Sequence, residues 1–276
     1  MFNVLTITLL NVVVVLAAAV VWLWLRNRKL NEKCEHYKQG IAVQKVFLQN
    51  MSHDIRTPMN SICGFSQILC NSQVRSLLTE EEIAEYGAVI QNNTEMLCTL
   101  VDDILDISDM ESGKYRLNFS ECKVNDLCRK TLSTAQFRCP DKVRMYMTSD
   151  LDHAYTLRTD PKRVEQVVMN YLTNAVKHTK QGEIHLHVSD KEIPGYVSFS
   201  VTDTGEGVPA DKAETIFRRF EKLGTLQSGT GLGLSICRKI ATQLGGQARL
   251  DTSYKDGARF LFIHPLKVNE QKAEDR

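Results

Sequence analysis

The sequence predicts a chain in three parts: an N-terminal transmembrane helix, an all-α helical hairpin, and an α+β two-layer sandwich. Three observations predict this order. The first 25 residues are almost wholly apolar. Residues 46–112 repeat apolar side chains at spacings of three and four, as on helices that pack together. From Lys114 onward, short alternating segments and Gly- or Pro-containing turns replace that repeat.

The composition is that of an ordinary globular protein and excludes two classes. The net charge of +1 gives no support for nucleic-acid binding. The 8 cysteines form no C-x-x-C pair, and the chain of 276 residues is long for a disulfide scaffold. Reduced thiols in a cytosolic domain are therefore expected.

The apolar segment Val4–Leu25 is long enough to cross about 30 Å of hydrocarbon as a helix. Trp22 and Trp24 lie at its end, where indoles favour the membrane interface, and Arg26 follows. These features predict a single-pass anchor (1–25) in the cytoplasmic membrane with residue 26 onward inside the cell. The alternative, a cleaved signal peptide, lacks a basic region before the apolar core.

After a polar connecting helix (26–45), residues 46–112 are expected to form two matched helices. The apolar positions of the first are Leu48, Met51, Ile55, Pro58, Ile62, Phe65 and Leu69. Those of the second are Ile83, Tyr86, Ile90, Asn93, Leu97, Leu100, Ile104 and Ile107. Thr79 and Glu82 form a capping-box pattern at the start of the second helix, and Gly113 suits its end.

One hairpin buries such apolar faces poorly, whereas two hairpins bury them in a four-helix bundle. The sequence therefore predicts a homodimer. The alternative is that both helices pack on the C-terminal domain of the same chain.

Residues 114–267 are expected to form the α+β domain, with a charged tail at 268–276. Strands are predicted at 115–121, 144–148, 183–188, 196–202, 248–251 and 259–264. Helices are predicted at 124–136, from Asp160-Pro161 to about His178, and at 232–244.

His53 is the first residue that indicates chemistry. Its place two positions from both Met51 and Ile55 turns it away from the apolar face. An exposed imidazole is largely neutral at pH 7, and a neutral ring nitrogen is a competent nucleophile toward phosphorus. Asp54 is adjacent and could orient the ring or accept its proton.

Two glycine runs form a second group. Asp203-Thr-Gly205-Glu-Gly207 follows a predicted strand, and Gly229-Thr-Gly231-Leu-Gly233 precedes a predicted helix. Glycine allows close approach of backbone to phosphate, and helix N-termini favour anions. Neither run has the lysine of a P-loop or the strand context of a dinucleotide fold.

A third group lies on one face of the helix after Asp160. Asn170 and Asn174 are four residues apart, with Lys177 one turn further. Amide oxygens suit Mg²⁺, and a lysine suits a phosphate.

Together, these groups resemble the sensor histidine kinases of two-component systems across roughly residues 40–266. Phe47–Pro58 resembles the family's H box, Asn170–Thr179 its N box, and the two glycine runs its glycine boxes. Ile216–Phe220 resembles the phenylalanine motif beside the ATP lid, which would span about Arg218–Ser228. Asp54 departs from the commoner Glu, and Gly257-Ala258 replaces a usual Gly-Thr.

The resemblance implies specific roles. His53 would accept the γ-phosphoryl group of ATP with Asp54 as acid/base partner, and Thr57 matches the position associated with phosphatase activity. Asn174 would hold Mg²⁺, and Asn170 and Lys177 would contact phosphates. The other expected nucleotide contacts are Asp203 to adenine, Arg219 to the γ-phosphate, and Gly205, Gly207, Gly229, Gly231 and Gly233 to pocket and lid.

Because no receiver-like segment follows residue 267, the phosphoryl group is expected to pass to an aspartate of a separate response regulator. Two other classes stay open. A dimeric scaffold would bind ATP without transfer, and an ATPase of the chaperone or mismatch-repair type would leave His53 without a role.

Overall fold

The computed structural model describes residues 22–31, 35, 49, 51–219, 221 and 231–267, in two compact units, residues 1–56 and 57–276. Within these residues, no helix combines the length and apolarity needed to cross a membrane. Most of the predicted anchor Val4–Leu25 lies outside them, as do most of the connecting segment 26–45 and the tail 268–276.

In the first unit, residues 22–31 are helical, and the side chains of Trp22 and Trp24 are exposed. Helix α1 covers residues 51–70 and runs across the boundary between the units.

The second unit contains the rest of the hairpin, with a short helix α2 (Ser72–Arg75) and the long helix α3 (Glu80–Glu111). Thr79 and Glu82 make the reciprocal capping box that the sequence predicts. After α3, Gly113 adopts φ +67°, a left-handed conformation that ends a helix without steric cost for glycine. The hairpin expected from the sequence is therefore present.

The C-terminal half of α3 packs on the α+β domain of its own chain. Ile107 and Met110 belong to the core of that domain, and Leu100 is buried as well. Ile107, which the sequence analysis placed in the apolar seam of the hairpin, therefore has an intramolecular neighbour, as in the alternative in which the helices pack on the C-terminal domain. Exposed apolar side chains of α3, Val101 and Leu105, lie on a different stripe.

The α+β domain begins after Gly113. Its helices are α4 (Val124–Gln136), α5 (Pro161–His178) and α6 (Gly233–Gln243). Its strands are β1 (Ser120–Lys123), β2 (Val143–Ser149), β3 (Thr156–Thr159), β4 (Gly182–Ser189), β5 (Tyr196–Asp203), β6 (Gln247–Leu250) and β7 (Ala258–Pro265). Two 3₁₀ turns, Ala210–Lys212 and Thr215–Phe217, follow β5.

Five strands form one mixed sheet in the order β2-β4-β5-β7-β6, in which only the β2–β4 pair is parallel. Strand β4 alternates buried Ile184, Leu186 and Val188 with the partly exposed His185 and His187, so one face of the sheet is apolar. Helices α4, α5 and α6 pack on the sheet, which gives the two-layer sandwich that the sequence predicts.

Two strand predictions differ from the structure. The strand expected at 115–121 is present only as β1, because Tyr115 instead packs into the core under the guanidinium of Arg163. Strand β3 was missed, and it pairs antiparallel with β1 in a separate two-stranded sheet. Four-residue strands contain too few residues to show a clear alternation.

Candidate functional site

A cavity of about 660 Å³ lies in the second unit, between α5, the N-terminus of α6 and the C-terminal end of β5. It brings together seven residues that the sequence analysis singled out. They are Asn170, Asn174, Lys177, Asp203, Gly207, Gly231 and Gly233.

Helix α5 presents the polar side of this cavity. It begins at the N-cap Asp160, whose carboxylate accepts the backbone N–H of Arg163, with Pro161 in the first turn. Its apolar face is buried against the sheet, including Val167 and Tyr171. The spacing of four between Asn170 and Asn174 then places both amides toward the cavity.

The two asparagine amides are available for a ligand. Both residues are only half-buried, and in the part of the chain that the structure describes no hydrogen bond engages either side chain. Lys177 is exposed at the cavity rim, one turn beyond Asn174. Amide oxygens beside an ammonium group suit a phosphate chain with a hard cation.

Asp203 is held rigidly at the end of β5. Its Oδ1 accepts the backbone N–H groups of Gly205 at 2.9 Å and Ala258 at 3.3 Å. Burial raises the pKa of this carboxyl above its ordinary value, and the two N–H donors act in the opposite direction. The carboxyl group is almost fully buried and faces a cavity, which suits recognition of a ligand amino group.

Close approaches explain several of the glycines. A Cβ on Gly233 would lie 2.2 Å from Oδ1 of Asn170, so glycine lets the start of α6 approach the amide. Gly207 adopts φ +71°, and a Cβ there would lie 2.9 Å from the carbonyl oxygen of Gly257. These positions require glycine for packing around the cavity as well as for its shape.

The N-terminus of α6 also faces the cavity. Its N-cap, Leu232, has no side chain that can cap the first turn. The first N–H groups of an 11-residue helix therefore point toward the ligand space, together with the positive end of the helix dipole. This arrangement favours an anion such as a phosphate.

Helix α3 supplies a wall that the sequence analysis missed. Asn92, Glu95, Met96, Thr99 and Asp103 line the cavity from one face of this helix. Glu95 is paired with Nη2 of Arg138 at 2.8 Å. The sequence did contain one indication of this wall: the acidic residue Asp103 lies between the apolar positions Leu100 and Ile107 on the same helical face.

His53 belongs to the first unit. Its side chain is 79% exposed, in agreement with the outward direction predicted from periodicity. Nδ1 lies 3.6 Å from Oδ1 of Asp54, whose side chain is only 14% exposed. The carboxylate therefore lies on the Nδ1 side of the ring. Thr57 is also exposed.

Two of the predicted nucleotide contacts, Gly205 and Arg219, are not in the cavity wall. Gly205 lies beside it and donates to Asp203. Arg219 does not line the cavity, because its Nη2 lies 2.5 Å from Oε1 of Glu111 at the end of α3. Gly229 and most of the lid segment 218–228 lie outside the described residues.

Among the described residues, no group of three or more His, Cys, Asp or Glu side chains could hold a metal ion. The cavity offers amide oxygens instead. This donor set fits Mg²⁺ that is held mainly by phosphate oxygens and water, with one or two protein ligands.

Two family models match the chain. Residues 43–113 match the His Kinase A (phospho-acceptor) domain, and residues 159–268 match the histidine kinase-, DNA gyrase B- and HSP90-like ATPase.

Curated relatives match over most of this chain. The circadian input-output histidine kinase CikA of Synechococcus elongatus is 31% identical over 91% of this chain and 34% of its own length. The autoinducer 2 sensor kinase/phosphatase LuxQ of Vibrio cholerae is 31% identical over 85% of this chain and 28% of its own. The chain thus spans about a third or less of these relatives.

Solved structures share the fold. Full-length ShkA in complex with AMPPNP matches with a TM-score of 0.58 and 28% identity, covering 79% of this chain and 45% of that one. Histidine kinase ThkA in complex with the response regulator protein TrrA matches with a TM-score of 0.61 and 24% identity, covering 87% and 65%. With the phospho-acceptor hairpin and the ATPase domain in this order, the chain belongs to the sensor histidine kinases of two-component systems.

Proposed function

We propose that this chain is an ATP-dependent protein-histidine kinase that phosphorylates His53 and passes the phosphoryl group to an aspartate of a separate response regulator. One observation carries the proposal. A single cavity combines two unengaged amides, a lysine, a buried carboxyl and an open helix N-terminus, in a chain that also presents an exposed His53 beside Asp54.

ATP fits the chemistry of the cavity. The Asp203 carboxyl would accept the adenine amino group, and its fixed Oδ1 would keep the base in one orientation. Asn170, Lys177 and the first turn of α6 would contact the phosphates. The AMPPNP complex of ShkA supports this assignment by analogy.

Mg²⁺ fits as the accompanying cation, with Asn174 as its proposed protein ligand. When bound, it would neutralise charge that develops on the β- and γ-phosphate oxygens. Lys177 would add a positive charge, and we propose that Arg219 does so after it leaves Glu111.

The transfer step follows from the surroundings of His53. With the Asp54 carboxylate on the Nδ1 side, the tautomer that carries hydrogen on Nδ1 is favoured, and Nε2 keeps its lone pair. Nε2 would attack the γ-phosphorus, forming an N–P bond while the bond to the β,γ-bridging oxygen breaks and ADP leaves. Asp54 would stabilise the positive charge on the ring or accept the Nδ1 proton.

We also propose that Thr57 supports dephosphorylation of the regulator, since it lies one helical turn from His53. Replacing Thr57 by Ala should then slow regulator dephosphorylation and leave autophosphorylation intact. Equal rates of dephosphorylation in both proteins would contradict this role.

Two further parts of the proposal concern assembly. We propose a homodimer through the hairpin, and a single membrane anchor at residues 4–25 with the catalytic parts in the cytoplasm. The arginine Arg26 lies 5.2 Å from the exposed ring of Trp22, an amphipathic arrangement suited to the headgroup region.

The direct test incubates the chain with Mg²⁺ and γ-labelled ATP. We expect an acid-labile, base-stable phosphoprotein that His53→Gln abolishes. His153→Gln is the matched control, because His153 is exposed in the α+β domain and away from the cavity wall. Nucleotide binding without any label on the dimeric wild type would instead support a silent scaffold.

A further inference from the structure

Asp103 is an acidic residue in an unusual place. It is 7% exposed, it lies on the face of α3 that packs on the α+β domain, and its side chain lines the cavity that holds Asn170, Asn174 and Lys177. The structure places no hydrogen-bond or ion-pair partner on its carboxylate from the residues it describes.

The charged groups that act most strongly on Asp103 are themselves acidic and do not balance its negative charge. On α3 its neighbours are the carboxylates of Asp106 and Asp102, and on α6 burial and then the charge of Asp103 raise the pKa of the Cys237 thiol. Burial and then these two carboxylates raise the pKa of Asp103 to about 7.

The nearby cations are already engaged or lie at the rim. Arg163 of α5 is taken up by Asp106, with Nη1 at 2.7 Å from Oδ2. Arg138, after α4, is taken up by Glu95. Lys177 and His178 line the same cavity from the end of α5, and Asp203 and Glu221 add further acidic groups.

We propose that Asp103 acts as a charge-dependent gate of the nucleotide site, so that a bound polyphosphate and the docking of α3 onto the α+β domain oppose each other. This inference rests on the proposed binding of ATP in the cavity. Its basis is that the buried carboxylate of Asp103, which makes no hydrogen bond or ion pair with the residues that the structure describes, lines the same cavity as the residues assigned to the phosphates. Like charges repel most strongly where solvent screening is weak.

The consequence is a coupling between occupancy and docking. Docking of α3 is held by the pairs Arg138–Glu95, Arg163–Asp106 and Arg219–Glu111 and by buried apolar side chains. A triphosphate near Asp103 would weaken that contact, and docked α3 would weaken triphosphate binding by the same factor. A ligand that lacks phosphates would produce neither effect.

The test compares Asp103→Asn with wild type in the full chain, using calorimetry with ATP, ADP and adenosine in EDTA. Asparagine keeps the size of the side chain and removes its charge. The matched control is Asp102→Asn, which removes the same charge from the adjacent, exposed position of α3. At pH 8, where a carboxyl group with a pKa of about 7 is mostly ionised, we expect Asp103→Asn to bind ATP about threefold to tenfold more tightly, ADP less so, and adenosine equally.

A second measurement follows docking directly. Hydrogen exchange of the α3 amides between residues 96 and 107 should increase when wild type binds ATP, but not when it binds adenosine. In Asp103→Asn, ATP should have a smaller effect on this exchange.

Each outcome decides the proposal. Unchanged or weaker ATP binding in Asp103→Asn overturns it, as does an equal gain for ATP and adenosine, which would indicate repacking. If wild type binds ATP and labels His53 while Asp103→Asn behaves like wild type, only the gate is refuted. If wild type binds neither ATP nor adenosine, both the gate and the proposed function fail.

Discussion

Protonation of His264 should limit the acid stability of the α+β domain. The side chain is fully buried on β7, with its ring edge-on to Phe262. Nδ1 lies 2.7 Å from the carbonyl oxygen of Pro265, and Nε2 lies 2.8 Å from Oγ1 of Thr159. Because the carbonyl can only accept, Nδ1 carries the hydrogen, and Nε2 accepts the hydroxyl hydrogen of Thr159.

This arrangement accommodates a neutral ring. Burial lowers the pKa of His264 from 6.5 to about 4, against the opposing effect of the Pro265 carbonyl. Above pH 6.5 the folded and unfolded chains bind the same number of protons at this residue. Between pH 6.5 and about 4, the unfolded chain binds one that the folded chain does not, so the free energy of unfolding falls as the pH falls.

The magnitude follows from that interval. At about 1.4 kcal/mol per pH unit, the interval from pH 6.5 to 4 corresponds to a loss of about 3 kcal/mol in the free energy of unfolding. This is an upper value, because other groups relax around the charged ring. We therefore compare urea unfolding of wild type and His264→Gln at pH 7, 6, 5 and 4. Carboxyl groups titrate alike in both proteins, so the difference between them isolates His264.

His264→Gln should be less stable than wild type at pH 7, because the hydroxyl of Thr159 loses a well-placed acceptor. The difference in the free energy of unfolding between the two proteins should decrease steadily toward pH 4. The exposed His153→Gln should instead run parallel to wild type. Parallel curves for wild type and His264→Gln between pH 7 and 4 would show that His264 binds protons equally in the folded and unfolded chains, contrary to this account.

Three other substitutions probe the cavity and its frame. Gly233→Ala places a Cβ 2.2 Å from Oδ1 of Asn170, so ATP affinity in calorimetry should fall at least about tenfold, whereas Gly64→Ala, with open space around it, should match wild type. Gly257 has φ +150°, and Gly257→Ala places a Cβ 2.0 Å from the backbone carbonyl oxygen of Asp203. Urea unfolding should therefore show that the free energy of unfolding falls by about 2–4 kcal/mol. An unchanged unfolding midpoint would contradict this close packing. Asp203→Asn should keep the far-ultraviolet circular dichroism spectrum but weaken ATP binding by about tenfold or more, since an amide oxygen replaces the carboxylate; equal affinity would remove this residue from adenine recognition.

Elements with strong local signals were predictable from the sequence. Helix α4 has the predicted bounds, and α5 begins at the predicted cap because Asp160-Pro161 satisfies and preorganises its first turn. The capping box of α3 depends on two residues three apart, which any reader of the sequence can see. Strand β4 alternates cleanly because one of its faces is covered by helices.

The remaining elements depend on distant partners. Strand β3 depends on pairing with β1, in which Cys122 lies opposite Leu157, 35 residues further along the chain. A local sequence pattern does not indicate such a distant pairing. Tyr115 resembles a strand residue in its type, yet its ring is held by Arg163 on α5. The cavity residues on α5 and β5 could be predicted by motif, whereas the Asp103 wall depends on how α3 docks.

The two apolar stripes of α3 bear on how docking and dimerisation can coexist. Leu100, Ile107 and Met110 recur at intervals that keep them on one face, and that face is buried in the same chain. Val101 and Leu105 lie roughly 100° to 180° further around the helix and are roughly half exposed. Each stripe can pack against a different neighbour. A second copy would therefore contact the exposed stripe without displacing the α+β domain. Nucleotide-dependent release of α3 would then change one contact of this helix and leave the proposed dimer contact intact.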